Sequence, residues 1–100
     1  MTNTRTLKVS RRQAHALKEQ QKVQRVKDTA CKAARLPLNA SVEQQVQALE
    51  EYIKVLKDTR RMLMNMHGEE GQQAAARLNF EIGKALDAIV LLRISEVQPL

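Results

Sequence analysis

Apolar residues recur in steps of three and four along two long stretches of the chain, which is the periodicity of an amphipathic helix. The recurring positions, apolar apart from Arg60, are Val42, Val46, Leu49, Ile53, Leu56, Arg60 and Leu63, and then Leu78, Ile82, Ala85, Ile89 and Leu92. Alternating steps of four and three form the heptad pattern by which two helices pack along a common seam. The sequence therefore predicts an all-α fold in which the second and third helices form a long antiparallel, coiled-coil-like hairpin.

Local signals predict where the helices begin and end. Ser41 followed three residues later by Gln44 is a capping box at the start of the second helix. Gly68 is expected to stop that helix, with residues 68–71 as the turn. Pro37 disfavours a helix at Leu36 and should end an earlier helix. The predicted organisation is a flexible basic arm at 1–9 and a single helical domain at 10–100, with helices at 10–35, 41–67 and 70–96.

The first predicted helix carries basic residues on one side and small apolar residues on the other. At 100° per residue, an arc of about 80° contains Arg11, Lys18, Lys22, Arg25 and Lys32, and Arg12 extends this basic side toward the arm. From Arg11 to Lys32 this stripe is about 32 Å long, close to the roughly 34 Å of one duplex turn. Basic side chains in this arrangement would bind a phosphate backbone in a salt-dependent, largely sequence-independent way. The candidate contacts are Arg11, Arg12, Lys18, Lys22, Arg25 and Lys32.

The charge balance along the chain points in the same direction. Residues 1–36 contain ten Lys or Arg and two acids, whereas residues 37–100 contain seven Lys or Arg and nine acids. This asymmetry favours a polyanionic partner for the first part. Three alternatives stay open for the basic side: nucleic acid, with a duplex favoured, an acidic protein surface, or a solvated face without a partner.

The third predicted helix is apolar on nearly every side over residues 85–94. A helix of this kind has to be covered on more than one side. The second helix covers one side, and the first helix offers only a narrow face of small residues. The sequence therefore predicts a homodimer that forms a helical bundle. The predicted interface residues are Leu86, Ile89, Val90, Leu92 and Ile94.

Residues that could carry chemistry are few and scattered. Cys31 has Lys27 and Arg35 one turn away on either side, which would favour a thiolate, but a small packing residue is the preferred interpretation. Met62, Met64 and Met66 could bind copper only in an extended chain, so they are interpreted as packing residues of a helix. Since no catalytic motif or metal-ligand spacing occurs, we expect no enzyme activity, no metal and no cofactor.

The remaining sequence features restrict the class of protein. The single cysteine excludes an intramolecular disulfide framework. We expect no membrane span, no membrane binding and no small-molecule substrate, and a cytoplasmic location, with mitochondrial import as a minor possibility suggested by the acid-free basic start. The predicted function is a non-enzymatic, dimeric nucleic-acid-binding accessory or regulatory protein. The alternative is a protein-interaction module, such as an assembly subunit, adaptor or chaperone, which binds its partner through the basic helix or the apolar third helix.

Overall fold

The chain folds into three long helices, α1 (Asn3–Ala33), α2 (Val42–Met66) and α3 (Gly68–Val97), as seen in a computed structural model. The structure describes the backbone of residues 3–66 and 68–97 and the side chains of residues 11–66 and 68–96. No strand occurs within these ranges, so the prediction of an all-helical fold is confirmed. The molecule is elongated, with extents of 57 × 38 × 20 Å.

Helix α1 begins at Asn3 rather than at the predicted Ser10. Residues 3–9, which were expected to form a flexible arm, are therefore helical. The physical reason is that neither glycine nor proline occurs before Pro37, so nothing in this segment interrupts a helix.

The last turn of α1 is closed by a Schellman motif, which ends the helix before the predicted Arg35. The amide of Leu36 donates to the carbonyl of Cys31, and the amide of Arg35 donates to the carbonyl of Lys32, each at 3.0 Å. Arg35 adopts a φ of 57°, in the left-handed region that glycine usually occupies at this position. Pro37 then follows where the helix can no longer continue.

The predicted capping box starts α2 and is confirmed by its two hydrogen bonds. The amide of Gln44 donates to Ser41 Oγ at 3.1 Å, and the amide of Ser41 donates to Gln44 Oε1 at 2.9 Å. At the other end of α2, the predicted turn at 68–71 is wrong, because α3 already begins at Gly68. Glu69 and Glu70 lie in the first turn of α3, where negative charge is favourable, so this segment suits a helix despite its glycines.

Side-chain contacts connect α2 and α3 near their ends and at their middles. Arg93, near the end of α3, donates to Glu43, near the start of α2. Tyr52 in the middle of α2 donates to Glu81 Oε2 at 3.0 Å. The heptad positions identified from the sequence are buried or partly buried on both helices.

All three helices contribute to one core. Its buried members are Val23, Val26 and Ala30 from α1, Leu49, Ile53 and Leu56 from α2, and Ile82, Ala85 and Ala88 from α3. Leu49 is fully buried. Since α1 supplies only valine and alanine to the core, it can approach the other helices closely, but each of these residues buries little apolar surface. The stability gained per residue is correspondingly small, because each buried methylene contributes about 0.8 kcal/mol.

Candidate nucleic-acid interface

Four of the predicted contact residues form one exposed line along α1. Arg11, Lys18, Arg25 and Lys32 are spaced seven residues apart, and all four are exposed. Seven residues return nearly to the same side of a helix, so the four lie within an arc of about 60° and are spaced about 10 Å apart along the axis. We call these four residues the basic stripe.

The core contacts of α1 determine where the basic stripe points. Val23 and Ala30 are buried, and at 100° per residue they lie about 100–180° around the helix from the stripe residues. The stripe therefore faces away from the core. Within the described side chains, none of the ion pairs involves a stripe residue, so their charges are not neutralised by the protein itself.

Lys22, another predicted contact, is held against α3 instead. Its Nζ lies 3.5 Å from Glu19 Oε1 and 5.4 Å from the centre of the Phe80 ring. Lys84 of α3 approaches the same ring at 5.1 Å and donates to the other carboxylate oxygen of Glu19. Because both ammonium groups are attracted to the ring and to the carboxylate, these side chains fasten α1 to α3. Lys22 is thus less available to a phosphate than the stripe residues.

The carboxylate of Glu19 is stabilised in its charged form by these contacts. The hydrogen bond from Lys84 lowers the pKa of Glu19 most, and the positive charge of Lys22 acts in the same direction. The side chain of Lys84 is only 14% exposed, so its charge depends on this partner more than that of a surface lysine would. Glu19 is therefore a structural residue between α1 and α3.

Arg12 is exposed but lies outside the basic stripe. It is one residue from Arg11 and therefore about 100° around the helix, on the side that carries Val23 further along. Every side chain from 11 to 18 is exposed, so no core contact covers this part of α1. The described helix thus has an exposed segment at 11–18 and a segment from Glu19 onward that packs on α3.

The predicted dimer interface on α3 is divided into two sets of residues. Leu86, Val90 and Ile94 are 49%, 54% and 49% exposed and are spaced four residues apart on the outer side of the helix. Ile89 and Leu92 instead pack against the core, so they are not available to another copy in the way predicted. The reason is that they continue the heptad seam that already faces α2.

Two exposed apolar residues on α3 were not among the predicted interface residues. Phe80 and Leu91 are each about half exposed on the same helix. Sequence reasoning assigned the apolar part of α3 to residues 85–94 and did not separate its inner side from its outer side. A helical projection centred on the buried Ala85 would have separated them, because Ile89 and Leu92 lie within about 40° of it and the outer residues lie about 100–180° from it.

A cluster of bases on α2 was also missed. Lys54, Lys57, Arg60 and Arg61 lie within eight consecutive residues, of which only Asp58 is acidic. The signal was present in the sequence, but the net charge of residues 37–100 concealed it, since the acids near the start of α2 offset these bases.

The sulfur-containing residues show no arrangement for chemistry. Burial raises the pKa of the Cys31 thiol and outweighs the opposing effect of Lys27, so the sequence-based argument for a thiolate does not hold. Met62, Met64 and Met66 are exposed, which contradicts their interpretation as packing residues. Within the described residues, no three metal-ligating His, Cys, Asp or Glu side chains lie together.

No family model, curated protein or solved structure matches this chain. In the part of the chain that the structure describes, no helix combines the length and the apolar character that crossing a bilayer requires.

Proposed function

We propose that the protein is a non-enzymatic, dimeric nucleic-acid-binding accessory or regulatory protein whose helix α1 lies along a phosphate backbone. The observation that carries this proposal is the basic stripe, whose four exposed charges lie on one side of a continuous helix and face away from the core. A surface helix without a partner commonly mixes charges of both signs, whereas the stripe side of α1 carries four bases and one exposed acid, Asp28, which lies about one turn from Arg25 and Lys32.

The dimensions of the basic stripe suit a duplex. It extends about 32 Å along the helix axis, and one turn of duplex extends about 34 Å. Four phosphate contacts would give a slope of about −3.6 for the logarithm of affinity against the logarithm of salt concentration, at about 0.9 per contact. We expect little sequence preference, because arginine and lysine on phosphates carry no direct base readout.

Dimerisation is the second part of the proposal. We propose that α2 and α3 form a coiled-coil-like hairpin and that the outer side of α3 packs on a second copy through Leu86, Val90 and Ile94. These side chains are about half exposed although each is strongly apolar. Two copies would present two basic stripes, which raises affinity for a long polyanion through avidity. Light scattering on Val90→Glu tests this: we expect the wild type to be a dimer and the variant a monomer.

The orientation of the basic stripe can be tested separately from its charge. One alanine inserted between Lys18 and Glu19 rotates Arg11 and Lys18 by about 100° relative to the rest of the stripe, without changing any charge. Seven inserted alanines restore the original direction to within about 20°. We expect the single insertion to lower the salt slope by up to about 1.8, corresponding to two lost contacts, and the sevenfold insertion to restore it.

The measurement is fluorescence anisotropy of a labelled duplex across a series of salt concentrations. Neutralising two stripe residues, with Arg25→Gln and Lys32→Gln, should lower the slope by about 1.8. The matched control, Arg25→Lys with Lys32→Arg, keeps the charge and should bind like the wild type. Absence of duplex binding at about 50 mM salt, where phosphate contacts are strong, would refute the proposal.

The exposed apolar side of α3 supports a second candidate function. If Leu86, Val90 and Ile94 bind a different protein, the chain is an interaction module such as an assembly subunit, adaptor or chaperone. A soluble monomer that binds no duplex would favour this candidate over the first one. A dimer that loses both self-association and duplex affinity in Val90→Glu would favour the first.

A further inference from the structure

The second half of α2 carries four bases and one acid within residues 54–61. Lys54, Lys57 and Arg61 are exposed and are separated by three and four residues, so they lie on one side of α2. Like charges at these spacings repel each other, and Asp58, four residues from Lys54 and three from Arg61, offsets only part of this repulsion, so the side keeps a net positive charge. A partner of opposite charge would relieve this repulsion.

The fourth base of this cluster, Arg60, is oriented by a neutral side chain of α3. Its Nη1 donates to Asn79 Oδ1, and Arg60 is partly buried. An amide oxygen positions the guanidinium but does not neutralise its charge. Beside it lies a shallow depression of about 330 Å³, lined by Lys57, Arg60, Arg61, Met64 and Asn65.

The two halves of α2 differ in the ion pairs that their described side chains form. Glu43, near the start of α2, pairs with Arg93 of α3. Among the side chains at 11–66 and 68–96, none of the ion pairs involves any of the four bases at 54–61. The exposed side of α2 at 54–61 thus carries three positive charges and one acid, Asp58, while Arg60 lies about 120° around the helix from Lys54 and lines the depression.

The direction of the helices places these bases at the same end of the molecule as the exposed segment of α1. The end of α1 adjoins the start of α2, since Cys31 and Lys32 share a surface groove with Ala40 and Gln45. Residues 23–30 of α1 and 49–56 of α2 meet in the core, so the two helices run in opposite directions. The exposed segment 11–18 and the bases at 54–61 therefore both lie toward the other end.

We propose that Lys54, Lys57, Arg60 and Arg61 form a second phosphate-binding surface, here named the α2 basic surface, which contacts the same class of duplex as the basic stripe. This inference rests on the proposed function and identifies a further part of its binding site. Flexible lysines and a positioned guanidinium are the groups that bind phosphate oxygens. Phosphates spaced along a strand match several separate charges better than a single carboxylate does.

The test compares three full-length variants in the duplex-binding titration across salt. Lys54→Gln with Lys57→Gln and Arg61→Gln neutralises the α2 basic surface and leaves the Arg60–Asn79 contact in place. We expect the salt slope to fall by up to about 2.7, and the affinity to fall on the order of a hundredfold near 0.1 M salt. The control, Lys54→Arg with Lys57→Arg and Arg61→Lys, keeps the charge and should bind like the wild type. The third variant is the neutralised stripe, Arg25→Gln with Lys32→Gln.

The outcomes show separately whether the basic stripe and the α2 basic surface bind the duplex. A wild-type slope in the neutralised α2 variant would overturn the α2 basic surface and leave the basic stripe in place. A reduced slope in the α2 variant together with a wild-type slope in the stripe variant would support the α2 surface and overturn the stripe. Binding to poly-L-glutamate without any binding to duplex would overturn both as nucleic-acid sites and assign them to an acidic protein. Circular dichroism identical to the wild type would show that each variant is folded.

Discussion

Replacing Arg35 by glycine should leave the protein more stable than replacing it by alanine. Arg35 is the left-handed residue of the Schellman motif at the end of α1, with a φ of 57°. A residue with a Cβ is disfavoured in this region by about 1–2 kcal/mol. Glycine removes this cost, but it gives the unfolded chain more freedom, which costs about 0.4–1 kcal/mol. The net gain of glycine over alanine at this position is therefore about 0.5–1 kcal/mol.

The comparison with alanine separates the backbone effect from the charge of Arg35. Arg35→Ala and Arg35→Gly both remove a positive charge near the end of a helix, where it is favourable, so that loss is common to both. Only glycine relieves the left-handed conformation. For a chain of this size the difference corresponds to about 2–8 °C in melting temperature. The measurement is thermal and urea unfolding at one protein concentration, followed by circular dichroism. A glycine variant that is no more stable than the alanine variant would refute the reasoning.

Further predictions concern the hydrophobic core and the loss of stability at high and at low pH. Leu49→Ala should destabilise the protein by about 2–5 kcal/mol in urea unfolding, because Leu49 is fully buried, whereas Val55→Ala at an exposed position should have little effect. Burial and the hydrogen bond to the Glu81 carboxylate raise the pKa of Tyr52 to about 12. The absorbance of Tyr52 should therefore titrate near pH 12 in the folded protein and near the ordinary value of 10.0 in urea. Because the folded pKa is the higher one, Tyr52 contributes stability that is lost as the pH rises from 10 through 12, and a midpoint near 10 in folded protein would contradict this. The pH dependence expected for Glu19 has the opposite sign to that of Tyr52. The hydrogen bond from Lys84 lowers the pKa of Glu19 below the ordinary 4.5. The stability that this carboxylate contributes is therefore present above that pH and is lost as the pH falls through the pKa that Glu19 has in the folded protein. The Glu19→Gln variant should therefore lose less stability than the wild type on acidification. If the free energy of unfolding of both proteins falls equally with decreasing pH, this carboxylate has no such role.

The periodic parts of the fold could be predicted because packing imposes a period on the sequence. The heptad positions of α2 and α3 become buried in the structure, since each has to face the neighbouring helix. The capping box was equally predictable, because a serine and a glutamine three residues apart satisfy each other's backbone amides. These features depend on local chemistry and on one repeated contact.

Helix ends that depend on competing local effects were not predictable in the same way. The segment at 68–71 contains two glycines, which indicated a turn, yet its two glutamates favour a helix start and α3 begins at Gly68. The helix end at Arg35 lacks the glycine that usually marks a Schellman motif. In both places the residue types were ambiguous, and the backbone hydrogen bonds of the folded chain decided the outcome.

The candidate binding residues were predicted where one side of a helix carries mainly one sign of charge. The basic stripe on α1 met this condition, and its four residues are exposed as expected. The α2 basic surface did not meet this condition. Glu50 and Glu51 precede it on the same helix, so the net charge averaged over this part of the chain does not reveal it. Charge therefore has to be read over single turns and single sides of a helix rather than over halves of a sequence.

The two segments of α1 are linked through the rigidity of the helix. Valine and alanine at positions 23–30 pack in the core and fix the rotation of α1 about its own axis. Because the stripe residues recur every seven residues, this single constraint also fixes the direction of Arg11 and Lys18, which have no core contact of their own. Lys22 and Glu19 lock the same rotation from the side of α3. A polar surface without packing partners is thus oriented by small apolar residues up to three turns away.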